Sequence, residues 1–332
     1  MKITVAGSGS WGTALALCLC SNGHDVTLWS HRPAKAAEMA QTKVNPALPG
    51  ITLPEEMNIS ADPSCVEECA MVVVACPSFA IRSVCQTIKP YLRPDAVMVS
   101  VTKGIEPGTL LRMSQIVEAE TDRSVVALTG PSHAEEVAQG VPTACLAASP
   151  CREQAELVQD AFMSDSFRVY TSPDIVGAEL GGAIKNVIAL CAGISDGMGG
   201  GDNTKSMLIT RGLTEMARLG VSMGASKETF AGLAGIGDLT VTCTSRHSRN
   251  NRAGNLIGKG LSPEEAMEEI GGVVEGYYAA KSVRELAARQ GVDMPIVSAA
   301  YAVLYEGHST SDVSMMLMQR KRKAESEDVD WL

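Results

Sequence analysis

Aromatic side chains and positive charge are both scarce in this sequence. Only 4% of its 332 residues are Phe, Trp or Tyr, and 38 Asp and Glu stand against 28 Lys and Arg, so the formal net charge is −10 at pH 7. A nucleic-acid-binding surface uses clustered basic residues for phosphates and aromatic platforms for bases. The composition therefore argues against nucleic acid as a partner.

Signals for export or membrane insertion are also weak. The residues after Met1-Lys2 are too short an apolar run for a secretory signal, and no cleavage pattern follows them. The longest apolar run, residues 175–194, approaches membrane-spanning length but contains Glu179 and Lys185, which are costly in lipid. We expect a cytoplasmic protein in which this run is a buried helix, with no membrane insertion.

The cysteines do not form the patterns of a disulfide or metal framework. Ten are present, but there is no CxxC pair, and Cys65 and Cys69 lack a partner cluster of His or Cys. We expect reduced cysteines that pack as small hydrophobic residues. No metal site is expected.

What is present is an alternation of strand and helix patterns in the first half of the chain. Strands are predicted at residues 3–6, 25–29, 71–75, 97–101, 125–128, 143–147 and 168–170, with helices at 13–20, 81–92, 110–120 and 153–162. Continuous apolar strands such as residues 71–75 are typical of a sheet that is covered on both faces. The pattern predicts an α/β Rossmann-type, doubly wound sheet.

Strand signals stop near Pro173, and helical patterns follow. Helices are predicted at residues 174–192, 207–219, 252–257, 263–270, 278–290 and 297–305. We divide the chain into a dinucleotide-binding domain, 1–180, and an all-α substrate-binding domain, 181–332. The charged tail, residues 319–332, is interpreted as a fraying helix end without an assigned function.

The first motif is a glycine-rich loop between a predicted strand and a predicted helix. Gly7, Gly9 and Gly12 match G-x-G-x-x-G in the segment GSGSWG. In this context the glycines permit a tight turn, close approach of a pyrophosphate and close packing of helix on strand. The alternative, an ordinary glycine turn, does not require the flanking strand and helix.

The end of the second predicted strand bears on which dinucleotide is bound. NAD-selective folds often have an acidic residue there, which holds the ribose 2′-hydroxyl. Here the sequence is Trp29-Ser30-His31-Arg32, without a carboxylate. Arg32 could pair with a 2′-phosphate, so NADP(H) is favoured over NAD(H). The alternative is that Arg32 is a solvated surface residue.

Further polar residues follow three other predicted strands. They lie in the segments ACPS, TKG and GPSHA, which begin at residues 75, 102 and 130. Ligands of open parallel sheets bind at the carboxyl ends of the strands, so Lys103 is expected to face the cofactor cleft, with a surface lysine as the alternative. His133, a lone histidine in a turn, is interpreted as structural or peripheral.

Two segments of the second half carry candidate chemistry. Lys185 lies among small and apolar residues, where it is either a paired core charge or a catalytic group whose pKa burial lowers. The glycines of GIGD are expected to form a tight turn that presents Asp238. Three arginines lie between residues 246 and 252, before a predicted helix, and they suggest a phosphate site or, alternatively, a solvated basic loop.

Taken in order, these motifs resemble those of bacterial-type NAD(P)-dependent glycerol-3-phosphate dehydrogenases. The matching segments are GSGSWG, TKGIE, GPSHA, ELGGAIKN, GLAGIGDLTVTC, SRN and VVEG, beginning at residues 7, 102, 130, 179, 232, 248 and 273. The resemblance implies reversible reduction of dihydroxyacetone phosphate to sn-glycerol 3-phosphate, which supplies glycerophospholipid synthesis. A homodimer is a further expectation.

The resemblance also implies roles for individual residues. Lys185 would be the proton acceptor of the oxidation, with Lys103 and Asp238 beside it. The residues implied to bind the cofactor are Gly7, Gly9, Ser10, Trp11, Gly12, His31, Arg32, Lys103, Ala134, Arg249, Val273 and Glu275. Those implied to bind the substrate are Lys103, Gly130, Ser132, Lys185, Asp238, Ser248, Arg249 and Asn250.

Two other functions remain open on the sequence. A dehydrogenase of similar layout could act on a β-hydroxy acid or on ketopantoate, since a carboxylate substrate also needs basic residues. A non-catalytic NADP(H)-sensing protein would use the glycine-rich loop but would not need Lys185.

Overall fold

The computed structural model describes residues 1–322, 324 and 325, and its first half is built on one twisted sheet. The strands are β1 (Lys2–Ala6), β2 (Asp25–Trp29), β3 (Asn58–Ser60), β4 (Met71–Val74), β5 (Val97–Ser100), β6 (Val125–Thr129), β7 (Thr143–Ala148) and β8 (Phe167–Ser172). They are ordered β3-β2-β1-β4-β5-β6-β7-β8. Among the pairs formed by these eight strands, only β6–β7 is antiparallel. The doubly wound fold is confirmed.

Six helices cover the two faces of this sheet. They are α1 (Ser10–Ser21), α2 (Pro33–Thr42), α3 (Ile81–Ile88), α4 (Met113–Thr121), α5 (Ala134–Ala138) and α6 (Arg152–Phe162). Successive residues of β4 point to opposite faces: Val73 packs in the core beneath α1 and α6, and Val72 packs in the core beneath α3 and α4. Both faces are buried, which explains the continuous apolar strands.

Several elements differ from the sequence-based expectation. Strand β3, helix α2 and helix α5 were not predicted; β3 is a three-residue edge strand without an apolar run. The helix predicted at 81–92 ends at Ile88 and continues as a 3₁₀ turn, Lys89–Tyr91. Pro90 has no N–H and therefore cannot continue the α-helical hydrogen bonding.

The second half is helical. Its elements are α7 (Ile175–Gly197), α8 (Asp202–Ser222), α9 (Lys227–Phe230), α10 (Asp238–Thr244), α11 (Arg249–Gly258), α12 (Pro263–Ile270), α13 (Glu275–Arg289), α14 (Pro295–Tyr305) and α15 (Thr310–Met318). The short α9, α10 and α15 were not predicted. The predicted fraying helix end, residues 319–332, extends outside the described residues.

Helix α7 forms the centre of this half, with the other long helices packed around it. By length and composition it could cross a membrane, but 83% of its most apolar window is buried inside the fold. Glycines on both helices allow backbone contact between α7 and α11. A Cβ on Gly193 would lie 2.0 Å from the carbonyl oxygen of Asn251, and a Cβ on Gly254 would lie 2.1 Å from that of Leu190. The apolar run is thus the core of the helical half.

A buried ion pair joins the two halves near the start of α7. The Glu179 carboxylate accepts hydrogen bonds from the Arg112 guanidinium, and from the backbone N and Oγ of Ser114 at 2.7 Å each. Glu179 is therefore not a partner of Lys185. Strand β8 ends at Ser172 and α7 begins at Ile175, so a division at residue 180 falls inside α7. The domain boundary stays a prediction.

Candidate active site

A cleft of about 300 Å³ opens between the carboxyl ends of the strands and the helical half. Most of the residues singled out from the sequence line it. They are Gly9, Ser10, Trp11, Gly12, Lys103, Ser132, Ala134, Lys185, Ser248, Arg249, Asn250, Val273 and Glu275. The glycine-rich loop, the two lysines and the basic segment, which are distant in sequence, therefore share one cleft.

The glycine-rich loop fits the pyrophosphate of a dinucleotide. Gly7 has φ +138°, and a Cβ there would lie 2.2 Å from the carbonyl oxygen of Ala75. A Cβ on Gly12 would lie 2.0 Å from the carbonyl oxygen of Gly7, whereas one on Gly9 would meet nothing within 4 Å. Gly7 and Gly12 thus serve tight packing, and Gly9 leaves open space in the cleft. Helix α1 begins at Ser10 without a side-chain cap, so its first N–H groups can receive an anion.

His31 and Arg32 lie outside this cleft, at the end of β2. Both are exposed, and Arg32 Nε lies 3.3 Å from His31 Nε2. Lys35 was not singled out from the sequence, yet its Nζ donates to the carbonyl oxygen of Ser8 in the glycine-rich loop at 2.6 Å. Burial and the charge of Arg32 lower the pKa of Lys35. Two cations therefore flank the β2 end of the loop.

Lys103 and Lys185 share one buried carboxylate. Lys103 Nζ lies 2.6 Å from Asp238 Oδ2, and Lys185 Nζ lies 2.5 Å from Asp238 Oδ1. Lys185 also donates to Thr242 Oγ1 at 2.7 Å, and Lys103 to the carbonyl oxygen of Gly130 at 3.1 Å. Asp238 is 1% exposed and does not line the cleft, whereas the lysines above it do.

Burial and charge act in opposite directions on this cluster. Burial lowers the pKa of Lys185 to about 8, with Asp238 opposing the shift and Lys103 adding to it. Burial alone would raise the pKa of Asp238, but Lys103 and Lys185 together bring it below its ordinary value. At neutral pH the site therefore holds an ionised carboxylate and a lysine that can release its proton just above neutrality.

The segment before Asp238 is not the tight glycine turn expected from the sequence. Leu233–Gly237 forms a π-helical turn in which Gly235 departs from helical geometry at φ −101° and ψ −105°, and Asp238 is the first residue of α10. A Cβ on Gly181 of α7 would lie 2.3 Å from the carbonyl oxygen of Ala234. Glycine on α7 thus lets the turn pack directly against it, and this packing places Asp238 below Lys185.

The basic segment contributes only part of what the sequence suggested. Arg249 lines the cleft, whereas Arg246 and Arg252 do not. Ser248 caps α11 by accepting from Asn251 N at 3.2 Å. The cleft therefore meets one arginine at the N-terminus of a helix, which is a suitable arrangement for a phosphate.

Asn250 is buried and already has partners. Its Nδ2 donates to Asn186 Oδ1 at 3.0 Å, and its Oδ1 accepts from Gly276 N at 2.8 Å. These bonds tie α11 to α7 and to the first turn of α13. Only the second Nδ2 hydrogen of Asn250 and the second lone pair of its Oδ1 remain for a hydrogen bond to a substrate.

Glu275 connects the helical half to the loop after β4. Its carboxylate accepts from Ser78 N at 3.1 Å and from Ser78 Oγ at 2.6 Å. Burial raises the pKa of Glu275 against the opposing effect of Ser78. Sequence reasoning missed the roles of Ser78 and Thr242, although the helical spacing of Thr242 from Asp238 could have pointed to the latter.

Two histidines lie in the same cleft. His133, expected from the sequence to be structural or peripheral, lines it together with His247. Their ring centroids are 5.9 Å apart. Among the residues that the structure describes, no group of three or more His, Cys, Asp or Glu is arranged to hold a metal ion. All ten cysteines are free thiols.

Comparison with known proteins gives matches over both halves. Residues 2–155 match the family model described as the NAD-dependent glycerol-3-phosphate dehydrogenase N-terminus, and residues 174–315 match the corresponding C-terminus. The glycerol-3-phosphate dehydrogenase [NAD(P)+] of Moorella thermoacetica is 50% identical over 99% of both chains. That of Bacillus mycoides is 51% identical over 99% of this chain and 98% of its own. The crystal structure of glycerol-3-phosphate dehydrogenase from Coxiella burnetii superposes with a TM-score of 0.92 at 37% identity, covering 96% of this chain and 99% of that one.

Proposed function

Because this chain belongs to the NAD-dependent glycerol-3-phosphate dehydrogenase family, we propose that its cleft performs the family reaction with Lys185 as the group that exchanges a proton with the substrate. The chain is an oxidoreductase that uses NAD(P)H to reduce dihydroxyacetone phosphate to glycerol 3-phosphate. The observation that carries the proposal is the pair of ammonium groups on Asp238, at 2.6 and 2.5 Å, directly beneath the cleft.

The chemistry of carbonyl reduction requires such a cation. When bound, the reduced nicotinamide would supply a hydride to the carbonyl carbon, and the carbonyl oxygen would then gain negative charge. An ammonium beside that oxygen stabilises the charge and donates a proton to it. Lys185 suits this role because burial brings its pKa to about 8. In the oxidation direction the neutral amine accepts the hydroxyl proton.

Lys103 and Asp238 have supporting roles in this proposal. Asp238 is fully enclosed and bonded to both lysines, so it fixes the position of Lys185 Nζ instead of reaching a substrate itself. Lys103 adds positive charge near the carbonyl oxygen and helps to lower the pKa of Lys185. Thr242 also restricts Lys185, since its Oγ1 accepts one of the lysine hydrogens at 2.7 Å.

The substrate phosphate would bind at the N-terminus of α11. Arg249 is exposed to the cleft there, and Ser248 and Asn250 lie in the same turn. Of the residues after β6, Ser132 lines the cleft, and Gly130 contacts it through Lys103, whose Nζ donates to the Gly130 carbonyl oxygen. Binding the phosphate away from the reacting carbon would orient the carbonyl against Lys185, so that remote binding energy contributes to the rate.

The nicotinamide cofactor would lie along the glycine-rich loop and would also contact Ala134, Val273 and Glu275. Arg32 carries the preference for NADP(H), since it is exposed at the end of β2, where the sequence Trp29-Ser30-His31-Arg32 contains no carboxylate. Lys35 adds a second positive charge near this position. His31 would contact the same end of the cofactor.

Several further properties of the protein are also proposed. They are a cytoplasmic location without membrane insertion, a homodimer, supply of sn-glycerol 3-phosphate to glycerophospholipid synthesis, a reaction that needs no metal, and the division into domains 1–180 and 181–332.

The test of the substrate site is the variant Arg249→Ala. If Arg249 holds the phosphate, this variant should raise KM for dihydroxyacetone phosphate by about tenfold or more, because a charge-assisted hydrogen bond is lost. Activity with an unphosphorylated ketone should change little. An unchanged KM for the phosphorylated substrate, with ketopantoate reduced efficiently, would place this chain's site among the keto-acid dehydrogenases instead.

A further inference from the structure

Two of the five histidines of this chain meet on one wall of the cleft, and no role has yet been given to either. His133 comes from the loop after β6, and His247 from the loop between α10 and α11. Their ring centroids are 5.9 Å apart, with 51° between the ring planes. The two imidazoles therefore bridge the cofactor-binding half and the helical half.

The position of His247 points to the phosphate end of the cleft. It directly precedes Ser248, the N-cap of α11, and Arg249, the first residue of that helix. The first N–H groups of a helix have no intrahelical partner and attract anions. A phosphate that is bound by Arg249 at this N-terminus would have the His247 ring at its side.

His133 lies between this end and the lysine cluster. Its Nε2 is buried and has no hydrogen-bond partner among the described residues. Burial and the charge of Lys185 lower the pKa of His133, while Glu135, Glu136 and the backbone of Val241 oppose that shift. A neutral His133 can pack against His247 and accept or donate one hydrogen bond, but a phosphate nearby would favour its charged form.

We propose that His133 and His247 form an imidazole pair that binds the phosphate of the substrate together with Arg249. This inference rests on the substrate site proposed above and deepens it. The pair makes the cleft specific for a phosphorylated ketone, because imidazole N–H groups can donate hydrogen bonds to the phosphate oxygens, whereas an unphosphorylated ketone lacks these acceptors. His247 makes the direct contact, and His133 supports the orientation of His247.

The experiment compares His247→Gln, His133→Gln and the control His308→Gln in the full-length enzyme. His308 is exposed and lies outside the cleft, so it carries the same chemical change without the proposed contact. The variables are kcat and KM for dihydroxyacetone phosphate and kcat/KM for unphosphorylated dihydroxyacetone, each measured from pH 6 to pH 9. Circular dichroism and NADPH affinity establish that each variant is folded.

His247→Gln should raise KM for dihydroxyacetone phosphate about tenfold near pH 6.5, with kcat changed less than about threefold. The rate with dihydroxyacetone should stay the same. His133→Gln should show a smaller rise in KM, and His308→Gln should match the unsubstituted enzyme.

Two results would overturn the proposal and leave the substrate site intact. One is an unchanged KM in His247→Gln while Arg249→Ala still raises KM. The other is an equal loss of activity with the phosphorylated and unphosphorylated ketones, which would mean that the histidines maintain the shape of the site and do not recognise the phosphate. If Arg249→Ala also leaves KM unchanged, the proposed phosphate site itself is wrong.

Discussion

Replacing Lys185 by methionine tests whether the Lys185 ammonium transfers the proton in the reaction. Methionine keeps an unbranched side chain of comparable length but removes the charge and the transferable proton. Asp238 would retain Lys103 as its partner at 2.6 Å, so the carboxylate would not be left without a cation. The fold and the glycine-rich loop are therefore expected to survive, and the loss should fall on the chemical step.

The size of the loss follows from the two roles assigned to Lys185. General acid catalysis contributes about 10²–10⁴-fold, and a positioned charge at the developing oxyanion contributes about 10²–10³-fold. Lys103 lies on the same carboxylate and retains part of the electrostatic effect. We therefore expect kcat to fall by about 10³-fold, which corresponds to about 4 kcal/mol of transition-state stabilisation.

The assay is the oxidation of NADPH on addition of dihydroxyacetone phosphate, followed by absorbance, with cofactor affinity measured separately by fluorescence. Lys185→Arg is the matched control, because it keeps a cation but holds its proton too tightly to transfer it. It should be nearly as impaired as the methionine variant. A kcat within tenfold of the unsubstituted enzyme for Lys185→Met, with intact cofactor binding, would refute the assignment of proton transfer to this lysine.

Further predictions concern the cofactor, the pH profile and stability. Arg32→Ala should raise the Kd of NADPH about tenfold and that of NADH little, whereas equal losses would contradict 2′-phosphate binding. Ketone reduction should decline above about pH 8 as Lys185 loses its proton, and alcohol oxidation should increase toward the same pH because it needs the neutral amine; a flat profile for both directions would be inconsistent with this role. Gly12→Ala should weaken dinucleotide binding and lower the free energy of unfolding by about 1–3 kcal/mol, since its Cβ would lie 2.0 Å from the Gly7 carbonyl oxygen. Glu179→Ala should lower the free energy of unfolding by about 3–5 kcal/mol in denaturant titration, because Arg112 remains buried without its partner; a change below 1 kcal/mol would show that the pair is not needed.

The sequence could predict the elements whose signals are local. The glycine-rich loop stands between an apolar strand and a helix within the first 21 residues, so its function is readable from adjacent residues. Lys103 lies three residues after the end of β5, and the carboxyl ends of parallel strands meet at one edge of a sheet. Both predictions need only the order of the strands and helices along the chain.

Contacts between distant segments could not be read in the same way. Asp238 lies 53 residues from Lys185 and 135 from Lys103, and only the packing of the π-helical turn on α7 brings all three together. The link from Ser78 to Glu275 spans 197 residues. His133 looked peripheral for the same reason, because nothing near it in sequence indicates His247. Strand β3 was missed since a short polar edge strand gives no apolar pattern.

The most direct test of the account is the initial rate of NADPH and NADH oxidation with dihydroxyacetone phosphate, with unphosphorylated dihydroxyacetone and with ketopantoate. We expect rapid oxidation with the phosphorylated ketone alone, and faster turnover with NADPH than with NADH at low cofactor concentration. Cofactor binding without oxidation by dihydroxyacetone phosphate, or comparable rates with ketopantoate, would contradict the assignment of the basic end of the cleft to a substrate phosphate.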